Sequence, residues 1–206
     1  MKTRSMFHSL LCAVVAMLFL ANCSGKKSDD HAHGHEGHDH HDSDAGQVQE
    51  ASATQFQVDE KFQNQLGDVF TAYADLQEAF VSSDPAAVKE DATRVIDALA
   101  KVDMKLLTGA AHNDWMNYQK SMEDALNNIK GTEDIEEQRK SFSVLSDNLY
   151  KSAKAFGLGG EVAYYAYCPM AFNDAGGYWL SKNEKIRNPY FGDKMLTCGM
   201  VKEKLN

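Results

Sequence analysis

Four stretches of this chain repeat apolar residues at spacings of three and four, each bounded by a residue that starts or stops a helix, and this restricts the fold to packed helices. The first runs through Phe62, Leu66, Val69, Phe70, Tyr73, Leu76 and Phe80. Ser83-Asp84-Pro85 supplies an N-cap and a first-turn proline, after which Val88, Ala92, Val95, Ile96, Leu99, Val102 and Leu106 repeat the spacing. Gly109 interrupts the pattern, and Asn113 or Asp114 is the expected cap of a third helix bearing Trp115, Tyr118, Met122, Leu126 and Ile129. Gly131-Thr132 stops that helix. The fourth carries Ile135, Phe142, Leu145, Leu149, Ala153 and Phe156 and ends at Gly157 and the Gly159-Gly160 pair. Short connections between such helices predict an up-down four-helix bundle.

The apolar stripes are needed for the bundle core, and no Glu-x-x-His pair places a di-iron site inside it. His112 stands by itself and is expected in a connection, at the surface. Glu133, Asp134, Glu136 and Glu137 crowd the start of the fourth helix, where the macrodipole favours negative charge. With no Ser-His-Asp set, no Gly-rich phosphate loop and no His-rich catalytic metal site in the folded part, the residues predict no enzyme.

After Gly160 the pattern changes. Val162 to Phe172 is rich in aromatic and β-branched residues, Asn173 to Gly177 is a turn signal, and Tyr178-Trp179-Leu180 resumes an extended pattern. The fold class is therefore mainly α, with a small C-terminal β-hairpin or irregular segment packed on the bundle. Asn188-Pro189 and Gly192 mark a further turn before Lys194 to Cys198, which returns the second cysteine of the tail toward the first.

That tail gathers Cys168, Met170, Met195 and Cys198. Thiolate and thioether donors together suit Cu(I), whereas two cysteines in an oxidising compartment commonly form a disulfide. Both readings stand for Cys168 and Cys198, and the pair can alternate between them. Tyr164, Tyr165, Tyr167, Tyr178 and Trp179 are expected in the hairpin core rather than as a cation-π lid.

Residues 1–22 read as an export signal, with Lys2 and Arg4 ahead of an uncharged run from Leu10 to Ala21 that contains Cys12 and is too short to span a bilayer. Leu20-Ala21-Asn22-Cys23 resembles the lipobox of bacterial lipoproteins, which implies acylation of Cys23. Asn22 departs from the small residue usual before that cysteine and leaves the cleavage site open. The expectation is an extracytoplasmic protein lipid-anchored to a bacterial membrane, the outer membrane first, on its periplasmic or surface side. Removing residues 1–22 takes away Lys2 and Arg4 and no acid, leaving 19 basic against 30 acidic residues. Such a surface excludes nucleic acid as a partner.

Residues 23–54 lack the apolar content of a core and are expected to be a disordered tether. Within them His31, His33, His35, His38, His40 and His41 alternate with Glu36, Asp39 and Asp42. Interchangeable imidazoles beside carboxylates predict capture of Zn(II), Cu(II), Ni(II) or Co(II), weakening in mild acid as the imidazoles protonate. The bland alternatives are a polar spacer and an engineered tag, and the spaced, acid-punctuated pattern beside the lipobox argues against the tag.

The tail strings Tyr-Cys-Pro-Met-Ala-Phe-Asn-Asp, Tyr-Trp-Leu-Ser, Ile-Arg-Asn-Pro-Tyr-Phe-Gly and Met-Leu-Thr-Cys-Gly resemble a bacterial domain family of unknown function. That family occurs in exported proteins and attached to periplasmic adaptor subunits of heavy-metal efflux systems. The similarity covers about residues 55 to 204. Tyr-Cys-Pro-Met also resembles the heavy-metal motif of copper-handling proteins, with Ala171-Phe172 in place of the usual His-Pro. The resemblance implies exported metal handling, copper or silver before cobalt, zinc or cadmium, with an efflux adaptor as partner. The expected organisation is a signal at 1–22, a tether at 23–54, and one domain at 55–206 comprising a bundle to about 158 and a sulfur- and aromatic-rich tail to 206. The leading expectation is a metal-capturing lipoprotein. The alternative is a disulfide-stapled module that docks on an envelope partner without binding metal.

Overall fold

The computed structural model describes residues 49–50 and 53–206. The signal segment, Cys12, Cys23 and the six tether histidines fall outside the described residues. Four long helices and a small C-terminal sheet make up the fold: β1 (Gln49–Glu50), α1 (Glu60–Ser82), α2 (Pro85–Leu99), α3 (Gly109–Lys130), α4 (Ile135–Phe156), β2 (Ala163–Cys168), β3 (Gly177–Ser181) and β4 (Met200–Leu205).

Local chemistry accounts for most helix ends. The Asp59 carboxylate accepts from Lys61 N–H at the start of α1, Asp84 accepts from Ala86 and Ala87 N–H ahead of Pro85, and Asp134 accepts from Glu136 and Glu137 N–H. Two boundaries differ from the periodic reading. The second helix stops at Leu99, and Met104–Leu106 is a separate 3-10 turn. Val102 and Leu106 keep their apolar role, but the Gln65 side chain takes the Asp103 N–H at 3.0 Å and the Asp103 carboxylate caps Lys105 N–H. Those bonds replace the helical ones. The third helix starts a turn early, at Gly109 after an extended Thr108, so Asn113 and Asp114 are helix interior and His112 lies in the first turn of α3 rather than in a connection. Burial of Ala111 on the core outweighs the capping preference of the two polar residues.

The helices pack α1 on α2, α2 on α3, α3 on α4 and α4 back on α1. Their shared core is aromatic: Phe62 meets Trp115 edge-on at 5.2 Å, Tyr73 stacks on Phe142 at 5.2 Å, and Phe80 lies 4.5 Å from Phe142. The buried Gln138 Nε2 donates to Ile129 O at 3.2 Å and Thr132 O at 3.0 Å, fastening the α3–α4 turn.

The sheet order is β1-β4-β2-β3, with β2 antiparallel to both β3 and β4 and the two-residue β1 added parallel to β4. The expected hairpin is present as β2 and β3, and β4 adds a third antiparallel strand that the periodicity did not announce. Strand β3 packs against α4 and α1. Its outward-facing Leu180 N–H donates to the Tyr73 hydroxyl at 3.2 Å, which in turn pairs with Ser146 Oγ at 2.7 Å. Ser146 Oγ donates to Phe142 O, so the shared proton is that of Tyr73. A sheet edge thus finds a side-chain partner inside the bundle instead of water.

Candidate functional site

Cys168 closes β2, opposite Gly177 of β3, and Pro169 ends the strand because it has no N–H to give. The Cys168 side chain is fully buried. Cys198 reaches it from the irregular segment between Gly192 and Met200. The two sulfurs stand 3.0 Å apart and both cysteines are free thiols. Gly199 makes this approach feasible: its φ is +138°, and a Cβ there would lie 2.9 Å from both Tyr167 O and the Trp179 ring.

The segment carrying Cys198 is organised by one residue. Asn188 is fully buried, its N–H donates to Leu196 O at 2.8 Å, and its Nδ2 donates to Cys198 O at 2.7 Å. Its Oδ1 accepts from Tyr190 N–H at 2.8 Å and its carbonyl accepts from Gly192 N–H at 3.1 Å. Every one of these bonds holds a backbone group that would otherwise be stranded. Arg139 of α4, also buried, ties the same loop to the bundle: Nε donates to Pro189 O at 2.9 Å and Nη2 to Ser83 Oγ at 2.8 Å, while Nη1 pairs with Glu136. The Tyr190 hydroxyl donates to Tyr178 O. Sequence reasoning took Asn188 only as a turn former and passed over Arg139. Neither has a motif; an arginine set within the buried face of an amphipathic helix was the single available signal.

The hydrogen bond with Cys168, then burial and the neighbouring sulfur's charge, push the Cys198 thiol up to about 11. Cys198 therefore keeps its proton at neutral pH, and a cation bound at its sulfur has to displace that proton.

The two methionines take other positions. Met170 is 46 % exposed and lines a cavity of about 240 Å³ with Glu136, Arg139, Lys140, Phe172 and Tyr190, a lining that includes neither cysteine. Met195 is half-buried in the 3-10 turn Gly192–Met195, and its carbonyl accepts from Cys198 N–H at 3.1 Å. Between Met170 and β3 the backbone is strained: Phe172, Asn173 and Asp174 have φ of 55°, 57° and 66°, three successive non-glycine residues in left-handed conformations. Phe172 is held there by an edge-on contact with Tyr190 at 5.0 Å.

Among the described residues no group of three or more His, Cys, Asp and Glu side chains converges on one point. A four-ligand structural zinc site of those residue types is therefore not assembled there. No helix of the described residues is long and apolar enough to cross a membrane. Trp179 is in the core as expected, whereas Tyr178 is 40 % exposed and Lys202 Nζ sits 5.6 Å from the Tyr167 ring centroid, a cation-π contact.

Comparison with curated proteins and with solved structures finds no match. Residues 69–160, from the middle of α1 to the glycines after α4, match the model of a family described as a protein of unknown function (DUF3347), and the sulfur-bearing tail lies beyond the matched residues.

Proposed function

We propose that this chain is an extracytoplasmic, lipid-anchored metal-binding protein in which Cys168 and Cys198 take a thiophilic cation, Cu(I) before others. The contact between their sulfurs carries the reading. Two thiols 30 residues apart are held together by a buried asparagine at the end of a sheet, and thiolates with few competing oxygen or imidazole ligands select soft monovalent copper over zinc. Met195, one turn from Cys198, and Met170 are the thioether donors the tail can add once a side chain rotates. His31, His33, His35, His38, His40 and His41 collect borderline divalent ions in this reading, Cys23 holds the chain to the membrane, and an efflux adaptor is the partner that receives or supplies the metal.

Cu(I) competition titration on the reduced protein lacking residues 31–41 tests it. The expected result is tight uptake lost on Cys168→Ser or Cys198→Ser and weakened less by Met170→Leu or Met195→Leu. Absence of Cu(I) uptake by the reduced protein rejects the metal reading.

The same sulfur contact favours one other reading, in which an oxidising compartment joins Cys168 to Cys198 and the protein is a stapled docking module. In that case reduction lowers stability by about 2–4 kcal/mol and creates no copper site. Thermal melts with and without reductant distinguish the two.

A further inference from the structure

The two edges of the sheet are finished differently. Strand β3 forms one edge, and its outward groups find partners inside the molecule: Leu180 N–H donates to the Tyr73 hydroxyl at 3.2 Å, and Tyr178 O accepts from the Tyr190 hydroxyl. Strand β4 is covered on its outer side by β1 alone, through Gln49 opposite Glu203 and Glu50 opposite Lys204. Among the described residues no strand pairs with Met200, Val201 or Lys202 on that side, and Met200 is 47 % exposed. Unpaired N–H and C=O groups along a sheet edge are a template for an added strand.

That edge is held from within. Beyond its pairing with β2, β4 is fastened by Glu203, whose Oε2 accepts from the Tyr150 hydroxyl at 2.6 Å and whose Oε1 is paired with Lys154. Tyr150 in turn heads a stack of rings that passes through Tyr165 and Tyr178 to Tyr167. Direction decides what fits the edge. Because β1 is parallel to β4, the residues before Gln49 run toward Met200 and the Cys198 end of β4. On the downstream side the chain is pinned to α4: Gln55 N–H donates to Lys154 O at 3.3 Å, Phe56 N–H donates to Ala155 O at 2.8 Å, and Phe56 stacks on Phe156. The residues upstream are therefore presented to the edge intramolecularly, an advantage that a second molecule lacks. A second copy also meets an obstacle. The register shift between Tyr165 and Ala166 leaves Lys202 as an extra residue in β4, and bulges and lysines blunt an edge against a long flat strand. A segment already in register at Gln49 has only to pass that one residue.

We propose that the β4 edge is a strand-addition site for residues 44–48 of this same chain, which prolong β1 as a strap whose far end lies beside Cys198 and limits access to its sulfur. Asp44-Ala45-Gly46-Gln47-Val48 contains no proline, so every residue of the strap has an N–H to give. Five residues at about 3.3 Å each cover about 17 Å, which matches the five steps from Glu203 back to Cys198. Backbone pairing ends at Met200, since Cys198 N–H already donates to Met195 O and Cys198 O already accepts from Asn188 Nδ2. Cys168 is fully buried and Cys198 is the partly exposed member of the pair, so a strap that shields Cys198 shields both sulfurs. The strap governs access to the thiol and does not rest on metal binding.

Hydrogen–deuterium exchange read by mass spectrometry, on the full reduced chain without metal, tests the pairing, and iodoacetamide alkylation mapped to Cys198 tests the shielding. The variant carries Gln47→Pro and Val48→Pro, which remove two strap donors and touch no residue of the bundle. Exchange of the Met200–Lys202 amides and alkylation of Cys198 are both expected to be several-fold faster in the variant, with circular dichroism unchanged. The wild-type protection is expected to be independent of protein concentration. Wild-type rates of either exchange or alkylation in the variant overturn the strap. Protection that rises with protein concentration also overturns it, because a second copy is then the occupant. The wild-type chain decides even where the variant loses helix signal: amides of residues 44–48 that exchange several-fold more slowly than in the isolated peptide support the strap, and peptide-like exchange overturns it.

Discussion

From Glu60 to Phe156 the buried residues are mostly apolar and pack on one another across all four helices, and each helix begins on a side chain two or three residues away or on an extended residue just outside it. From Gly157 onward the partners are distant: Tyr73 reaches Leu180, Gln77 reaches Arg187 O, Arg139 reaches Pro189 O and Cys168 reaches Cys198. Apolar area holds the bundle, and removal of one side chain costs in proportion to the space left. The tail is held by a few buried polar residues that each satisfy several backbone groups, so its integrity depends on individual hydrogen bonds. A region of the second kind suits a sulfur site, because it sets two side chains at a fixed separation without requiring either to be part of a repeating pattern.

The sharpest way to break this contrast is at the ring both regions share. Phe142 touches Tyr73 and Phe80 in the bundle and Tyr190 in the tail, and Phe142→Ala is expected to cost about 3–5 kcal/mol. Chemical denaturation followed at once by helix signal and by Cys198 alkylation is expected to show both regions lost together. Separate transitions would mean that the tail does not depend on the bundle.

Asn188→Ala is expected to act on the tail alone, at about 1–3 kcal/mol, since it strands Cys198 O and Tyr190 N–H. Helix content is unchanged in this prediction while alkylation of Cys168 and Cys198 accelerates. If the helix signal falls in step, the clamp belongs to the bundle after all. Asp134→Ala is the opposite case, removing the carboxylate that caps Glu136 and Glu137 N–H at an expected cost of about 1 kcal/mol with alkylation rates unchanged.

The smallest effect is on pH. Cys198 is raised from 9.0 to about 11, so the folded state favours the neutral thiol. Its contribution is full below pH 9 and is lost as pH rises through about 11. Melting temperatures of the reduced protein are expected to fall across that window more steeply than those of Cys198→Ser. Parallel curves would show that Cys198 titrates alike in the folded and unfolded chain.

Three of the four helices could be placed within a few residues by spacing and punctuation, and Asp84-Pro85 and Gly157 stand at the ends they were assigned. The failures are instructive. Val102 and Leu106 hold the helical spacing and are core-facing, but Gln65 intercepts the Asp103 N–H from a helix far off in sequence. Strand β4 escaped because Met200-Val201-Lys202-Glu203-Lys204-Leu205 is charged and lies on an edge where only two residues of β1 cover it. In the tail, the approach of Cys168 to Cys198 was open from the turn signals alone. That the thiols come into contact while Met170 lines a different cavity was not.

By itself the sequence determined what depends on neighbours along the chain: helix number, most caps, the apolar faces, the hairpin turn and the residue types available to the tail. Period 3.6 and side chains reaching two or three residues are properties of a local segment, legible without knowing what lies opposite. Only the tertiary structure decided the sulfur separation, the Asn188 and Arg139 clamps, the three left-handed residues after Met170, and the tyrosine stack from Tyr150 to Tyr167. Most of these join groups from separate elements, and a hydrogen bond or ring contact between groups 10 residues apart, as for Asn188 and Cys198, or 110 apart, as for Gln77 and Arg187, leaves no periodic trace in the sequence.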